Sequence, residues 1–264
     1  MPRTPEGPPP PPTVSRLRVH YAKRGRLRFS SHRDFQRAFE RALRRAAVPM
    51  AYSAGFSPHP KVSYAGAAPT GVASEAEYLE IGLASRCDPR WVQAALDAAL
   101  PADLDVLDVV EVAPTPAHTK APSLADRLEA SVWEVLLLGV PPEAAERAVQ
   151  VFLAAPAAQV TRLTKNGLRT FDARAAVVAL TVSAERAGGP SVVPCAILRM
   201  VVRHVTPAVR PDDVLAGLRQ IGDLAPPTTP TVVRLAQGPL DEPTGTVSDP
   251  LAPDRPPSED AVGG

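Results

Sequence analysis

His59 stands between Pro58 and Pro60 and is followed by Lys61. The two prolines hold the backbone on both sides of the imidazole stiff. An unperturbed histidine titrates near neutral pH, so a rigidly presented one can contact phosphate or serve as a general base. It can equally do no more than shape its turn by packing or hydrogen bonding. No nucleophile or acid can be paired with it from spacing, so no catalytic residue is assigned. Phe56 and Tyr52 flank this loop, and either ring can stack on an unpaired base. Aromatics in such positions are more often core, which is the expectation for Tyr52. His32 falls in the first turn of an expected helix. There it can meet an anion at the free N–H groups or simply extend the cap.

A second constellation is electrostatic. Residues 16–64 hold twelve Lys or Arg against two acids, Asp34 and Glu40, although the whole chain carries only +1. Arg33, Arg37, Arg41 and then Arg44 or Arg45 recur at steps of three or four, so they share one ridge of a helix. Such a ridge is either a solvated face or a track for phosphates, whose oxygens suit the planar guanidinium fork. A dense positive field on one element points to an anionic partner, and nucleic acid is the default. Lys165 and Arg169 straddle a tight turn, where charges are usually solvated; the functional alternative is a second RNA contact.

Other chemistries are excluded by what is missing. The five histidines (20, 32, 59, 118, 204) show no metal-ligand spacing, so neither metal nor cofactor is expected. Cys87 and Cys195 are too isolated for a disulfide framework, zinc site or iron–sulfur motif. One exposed and one buried thiol in a reducing cytoplasm is the expectation. No Gly-rich phosphate loop or Ser-His-Asp set occurs. No apolar run approaches the ~20 residues of a membrane span, and residues 1–15, with their proline run, read as neither signal peptide nor anchor.

The elements that must position these residues follow from periodicity. Arg16–Tyr21 alternates as a strand with Leu17, Val19 and Tyr21 inward, and Arg26–Phe29 alternates again. Ser31 with Asp34 three residues on predicts a helix N-cap, and Pro49 stops that helix after about Ala47. Phe35, Ala38, Phe39, Ala42, Leu43 and Ala46 form its buried stripe. Met50–Ser53, Lys61–Tyr64, Tyr78–Leu83 and Leu104–Val112 read as strands. Asp88-Pro89 opens a second helix. The order is β-α-β-β-α-β, the split arrangement of ferredoxin-like folds.

Residues 113–130 then read as a Pro-containing linker with a short helix capped by Ser123 and Asp126. Strands Val132–Leu138, Ala175–Val182, Ala196–Val202 and Val232–Leu235 and helices from Pro141-Pro142 and over Pro211–Gln220 repeat the same order. The hairpin around Lys165-Asn-Gly167 is an insertion. The sequence therefore predicts an α+β protein of tandem ferredoxin-like halves: a basic half over 16–112 and a second over 131–240. Disordered tails are expected at 1–15 and 241–264.

Phe29-Ser-Ser-His-Arg-Asp34, Glu40-Arg-Ala-Leu-Arg-Arg45, Tyr52-Ser-Ala-Gly-Phe-Ser-Pro-His-Pro-Lys61 and Gly71-Val-Ala-Ser-Glu-Ala-Glu-Tyr-Leu-Glu80 resemble blocks of the bacterial radical SAM-linked, or radical-SAM-associated, proteins of unknown function. Thr164–Asp172 and Val209–Leu215 resemble later blocks, so the likeness covers about residues 15–240. Members occur alone or fused behind a radical SAM domain, and the resemblance implies that this stand-alone chain works beside a separate radical SAM protein. It lacks the Cys-x3-Cys-x2-Cys cluster motif and cannot itself perform that chemistry. The element order is also similar to that of CRISPR repeat-processing endonucleases, an analogy of fold alone.

Together these readings lead to a cytoplasmic, non-enzymatic RNA-binding accessory protein of a radical SAM enzyme. Its contacts would be His32, Arg33, Arg37, Arg41, Arg44, Arg45, Phe56, His59, Lys61, Lys165 and Arg169. One alternative is a metal-independent ribonuclease or RNA-modification component centred on the Pro-His-Pro loop, with His59 and His32. Another is a protein-interaction subunit that makes no RNA contact.

Overall fold

The structure is a computed structural model that describes residues 11–113, 123–164, 167–184 and 193–255. It is a mixed α+β fold with four α-helices among the described residues, and the chain divides into two compact units. Unit 1 is Met1–Arg127 together with Pro250–Gly264, and unit 2 is Leu128–Asp249.

Unit 1 contains β1 (Ser15–Lys23), α1 (His32–Arg45), β2 (Val62–Ala65), β3 (Ala73–Leu83), α2 (Pro89–Ala99) and β4 (Val106–Glu111). Its strands lie in the order β4-β1-β3-β2, and every neighbour is antiparallel. The alternation expected of β1 holds, since Leu17, Val19 and Tyr21 are buried in one cluster with Phe35, Phe39 and Leu43 of α1 and Leu79, Ile81 and Leu83 of β3. Each such side chain contributes about 1.5–3 kcal/mol by leaving water. Of the expected stripe on α1, Phe35, Phe39, Ala42 and Leu43 are buried, and Ala38 and Ala46 are half-buried at its margins. Asp88 caps α2 by accepting the Arg90 N–H at 2.9 Å, with Pro89 in the first turn, as its sequence predicts.

Unit 2 contains β5 (Ala130–Leu138), α3 (Pro142–Ala154), β6 (Gln159–Thr164), β7 (Gly167–Asp172), β8 (Val177–Ala184), β9 (Cys195–Arg203), α4 (Pro211–Gly222), β10 (Thr231–Gly238), β11 (Leu240–Asp241) and β12 (Thr246–Val247). Its main strands are ordered β10-β5-β9-β8, again antiparallel, while β6 and β7 pair only with each other. Gly217 lets α4 press onto α3, because a Cβ there would stand 2.8 Å from the Phe152 ring.

Several expectations are corrected. Arg26–Phe29 is not a strand but part of a 3-10 turn, Gly25–Phe29, entered through Gly25 at φ +47°. Met50–Ser53 makes only isolated bridges, Met50 to Leu83 and Tyr52 to Pro60. Pro49 and Pro60 have no N–H to extend a ladder there. The expected tail over 241–264 is ordered through Arg255: Leu240–Asp241 pairs with Thr246–Val247, and Leu251 and Asp254 are buried. Low hydrophobicity misled here, because one leucine and one carboxylate find buried partners. The basic half also extends beyond 16–112, since unit 1 takes in residues 250–255. Ser123 and Asp126 cap each other as expected, at 3.0 and 3.2 Å, but the helix is a single 3-10 turn. Cys87 and Cys195 are both half-buried rather than one exposed and one buried. The linker prolines, His118 and the Gly188-Gly189 loop lie outside the described residues. Among the described residues, no helix is long and apolar enough to cross a membrane.

Candidate nucleic-acid interface

Helix α1 starts where Ser31 accepts the Asp34 N–H at 3.2 Å. The Ser31 hydroxyl also donates to the Asp34 carboxylate at 2.6 Å. That bond, with nearby Arg37, holds the Asp34 carboxyl below its usual range. Burial of Phe35, Phe39 and Leu43 fixes the roll of the helix, so the opposite side is left to solvent. Arg33, Arg37, Arg41, Arg44 and Arg45 are all exposed. Arg45 is tied down, since its Nη1 donates to the Ala99 carbonyl at 3.1 Å. Among the described residues, Arg33, Arg37, Arg41 and Arg44 form no salt bridge.

The other cations of the basic stretch are treated differently. Arg16 pairs with Glu80 at 3.3 Å, and Arg18 bonds both Glu80 and Asp254, at 3.1 and 2.6 Å. Arg24 is held between Glu75 and Asp105. Lys23 is buried and donates to the Ala68 and Pro69 carbonyls. The fold therefore pairs Arg16, Arg18 and Arg24 with acids and leaves Arg33, Arg37, Arg41 and Arg44 of the helix ridge without a salt bridge among the described residues.

The Pro-His-Pro loop is pinned at its base through the backbone. The Ser53 N–H donates to the His59 carbonyl at 2.8 Å, and the His59 N–H donates to the Ser53 hydroxyl at 3.1 Å. The Lys61 N–H continues the seam to the Ala51 carbonyl at 2.8 Å. The His59 imidazole is exposed and has no hydrogen-bond partner among the described residues, so the turn is shaped by its main chain. Lys61 is exposed, and its Nζ donates to Thr13 Oγ1 at 2.9 Å. Phe56 is 72% exposed, and Tyr52, expected in the core, is 39% exposed. Tyr52 sits at the loop's mouth, in an isolated bridge with Pro60.

His32 is also exposed. Its Nε2 accepts from the Gln36 amide at 3.0 Å, and its ring meets Tyr64 edge-on at 5.1 Å. Tyr64 lies in β2, five extended residues beyond His59, a span of about 16 Å at ~3.3 Å per residue. His32 thus packs on Tyr64 of β2, whereas His59 lies before that strand begins at Val62. Lys165 lies outside the described residues. Arg169 is exposed on β7 opposite Arg162, in unit 2. Arg162 is engaged with Asp213 and stacks over Phe171. Residues 31–61, then, share one unit, and Arg169 belongs to the other.

A serine–histidine pair occurs elsewhere. His204 Nδ1 donates to the Leu128 carbonyl at 2.7 Å, which leaves Nε2 to accept the Ser131 hydroxyl at 2.7 Å. Ser131 is only 1% exposed, so its oxygen cannot meet a substrate, and the pair is a structural lock. Desolvation pushes the His204 pKa down, and the charge of Arg234 adds to that, against a smaller upward pull from Leu128. Among the described residues, no group of three or more His, Cys, Asp or Glu is placed to hold a metal.

Sequence reasoning passed over Phe29. The ring is 60% exposed, with the Arg28 guanidinium carbon 4.6 Å from its centroid. The alternation of Arg26–Phe29 predicts a strand and assigns Phe29 no role; Gly25, able to take the left-handed turn, is the signal against that strand.

Residues 16–211 match the model of a family described as "Uncharacterized protein conserved in bacteria (DUF2344)". No curated protein matches the chain. Among solved structures, one similar chain is that of "an Unknown Protein from Galdieria sulphuraria", at 13% identity and a TM-score of 0.22, covering 83% of this chain and 95% of that one.

Proposed function

The chain belongs to this conserved bacterial family, and from its own residues we propose that it is a non-enzymatic RNA-binding protein that uses the exposed face of α1 and the Pro-His-Pro loop. One observation carries the reading: Arg33, Arg37, Arg41 and Arg44 stay exposed and without salt bridges among the described residues, while Arg16, Arg18 and Arg24 are matched to acids. Four guanidinium groups on one ridge repel one another, and a run of phosphates relieves that repulsion with charge-assisted bonds. His59, Lys61 and Phe56 add a donor, a cation and a stacking face on a loop of the same unit.

Two finer readings accompany this one. The strand orders β4-β1-β3-β2 and β10-β5-β9-β8 support two ferredoxin-like halves. The sequence blocks around Phe29–Lys61 support a separate radical SAM protein in the cytoplasm as the partner. The test is equilibrium binding of the purified chain to RNA across a salt series. Affinity should fall by about 0.7 log units per phosphate contact for each tenfold rise in salt. Absence of binding at low salt would overturn the reading.

A further inference from the structure

We infer that the RNA recognised here is single-stranded, and that Phe29, backed by Arg28, is a platform on which an unpaired base stacks. This rests on the RNA reading above and names its substrate class. Phe29 ends the 3-10 turn at Gly25–Phe29 and is 60% exposed. Its backbone is fixed: the Ser30 N–H donates to the Leu27 carbonyl at 2.9 Å, and the Gly71 N–H donates to the Arg28 carbonyl at 2.7 Å. A ring held on a fixed turn loses little freedom when it is covered. The Arg28 guanidinium already lies over the ring, its carbon 4.6 Å from the centroid. A base arriving on the ring extends that stack, and its π-face is available whatever its identity.

Position selects the single strand. Phe29 precedes Arg33 by four residues, so their Cα atoms lie within about 14 Å of each other. A strand whose phosphates follow α1 can therefore turn a base onto Phe29. In a duplex the base faces are consumed by stacking inside the helix, and the A-form major groove is too deep and narrow for a side chain to reach them. The ridge alone would accept either form; the ring favours the unpaired one.

The test uses the full chain, Phe29→Ala and Phe29→Leu, with a short single-stranded oligoribonucleotide and the same sequence annealed to its complement. Melting temperatures serve as a folding control, and an exposed ring predicts little change. Phe29→Ala should weaken single-strand binding about five- to hundred-fold, the range for losing one base–aromatic stack. Phe29→Leu keeps apolar bulk without a π-face and should fall with Ala. The salt slope and duplex affinity should stay at wild-type values. Wild-type single-strand affinity in both variants, or an equal loss on duplex, overturns the platform and leaves the arginine ridge standing. A wild-type chain that binds neither form at low salt overturns the RNA reading itself, and the platform with it.

Discussion

Arg18 and Asp254 are 236 residues apart in sequence, yet Arg18 Nη1 donates to Asp254 Oδ2 at 2.6 Å with both side chains almost fully buried. Arg127 bonds the same carboxylate, and Arg255 reaches Asp108 of β4 at 2.6 Å. Leu251, fully buried, sits between these charges in sequence. The late turn at Ala252–Asp254 is thus part of the unit that carries the basic helix, and it covers the face of β1 opposite the core.

Asp254→Asn should therefore destabilise unit 1. It leaves two guanidinium groups facing a neutral amide, and breaking a buried pair costs about 3–5 kcal/mol. Burial raises the Asp254 pKa, but hydrogen bonds from Arg127 and Arg18 outweigh it and hold the carboxyl below its usual 3.8. A depressed carboxyl pKa means stability that is present above the unfolded value and lost as pH falls through the folded one. Acid denaturation followed by circular dichroism should show this loss in the wild type and not in the variant. An unchanged urea midpoint for Asp254→Asn at neutral pH would show that the contact contributes nothing.

Replacing Arg37, Arg41 and Arg44 together with Gln should leave stability nearly unchanged, because all three are exposed and Gln is a comparable helix former. RNA affinity should drop for every sequence tried. The salt slope should decrease by about 0.7 for each phosphate contact removed from a single strand. If slope and affinity both match wild type, the ridge is only a solvated face.

His59→Ala separates binding from turn formation. Alanine keeps the two backbone bonds to Ser53, and the imidazole makes none among the described residues, so the melting temperature should be spared. Affinity for RNA should fall. A lowered melting temperature with wild-type affinity would assign His59 to the turn alone.

The lock at His204 makes unit 2 sensitive to mild acid. Its folded pKa lies below the usual 6.5, so the unfolded chain binds the extra proton first. Stability should be constant above about pH 7 and decline as pH falls below ~6.5 toward the folded value. His204→Gln should flatten that part of the profile. A wild-type urea midpoint that rises on going from pH 7 to 5.5 would contradict the assignment.

Much of the local structure was legible in residue spacing. Ser31 and Asp34 mark the start of α1, and Asp88 and Pro89 that of α2, because caps depend on neighbours within four residues. The stripe from Phe35 to Leu43 located the core face and, by subtraction, the exposed ridge. The core expectation for Tyr52 and the strand expectation for Arg26–Phe29 fail because aromatic character and alternation describe an average environment. A left-handed glycine redirects the chain without altering either signal.

By itself, the sequence determined that twelve cations crowd residues 16–64 and that four arginines share one helical face, since both depend only on order along the chain. Only the tertiary structure decided which of those cations are free. Glu75, Glu80, Asp105 and Asp254 meet Arg16, Arg18 and Arg24 across 51 to 236 residues of sequence. Coulomb attraction acts through space, not along the chain, so no local pattern reports a partner that packing brings from so far away.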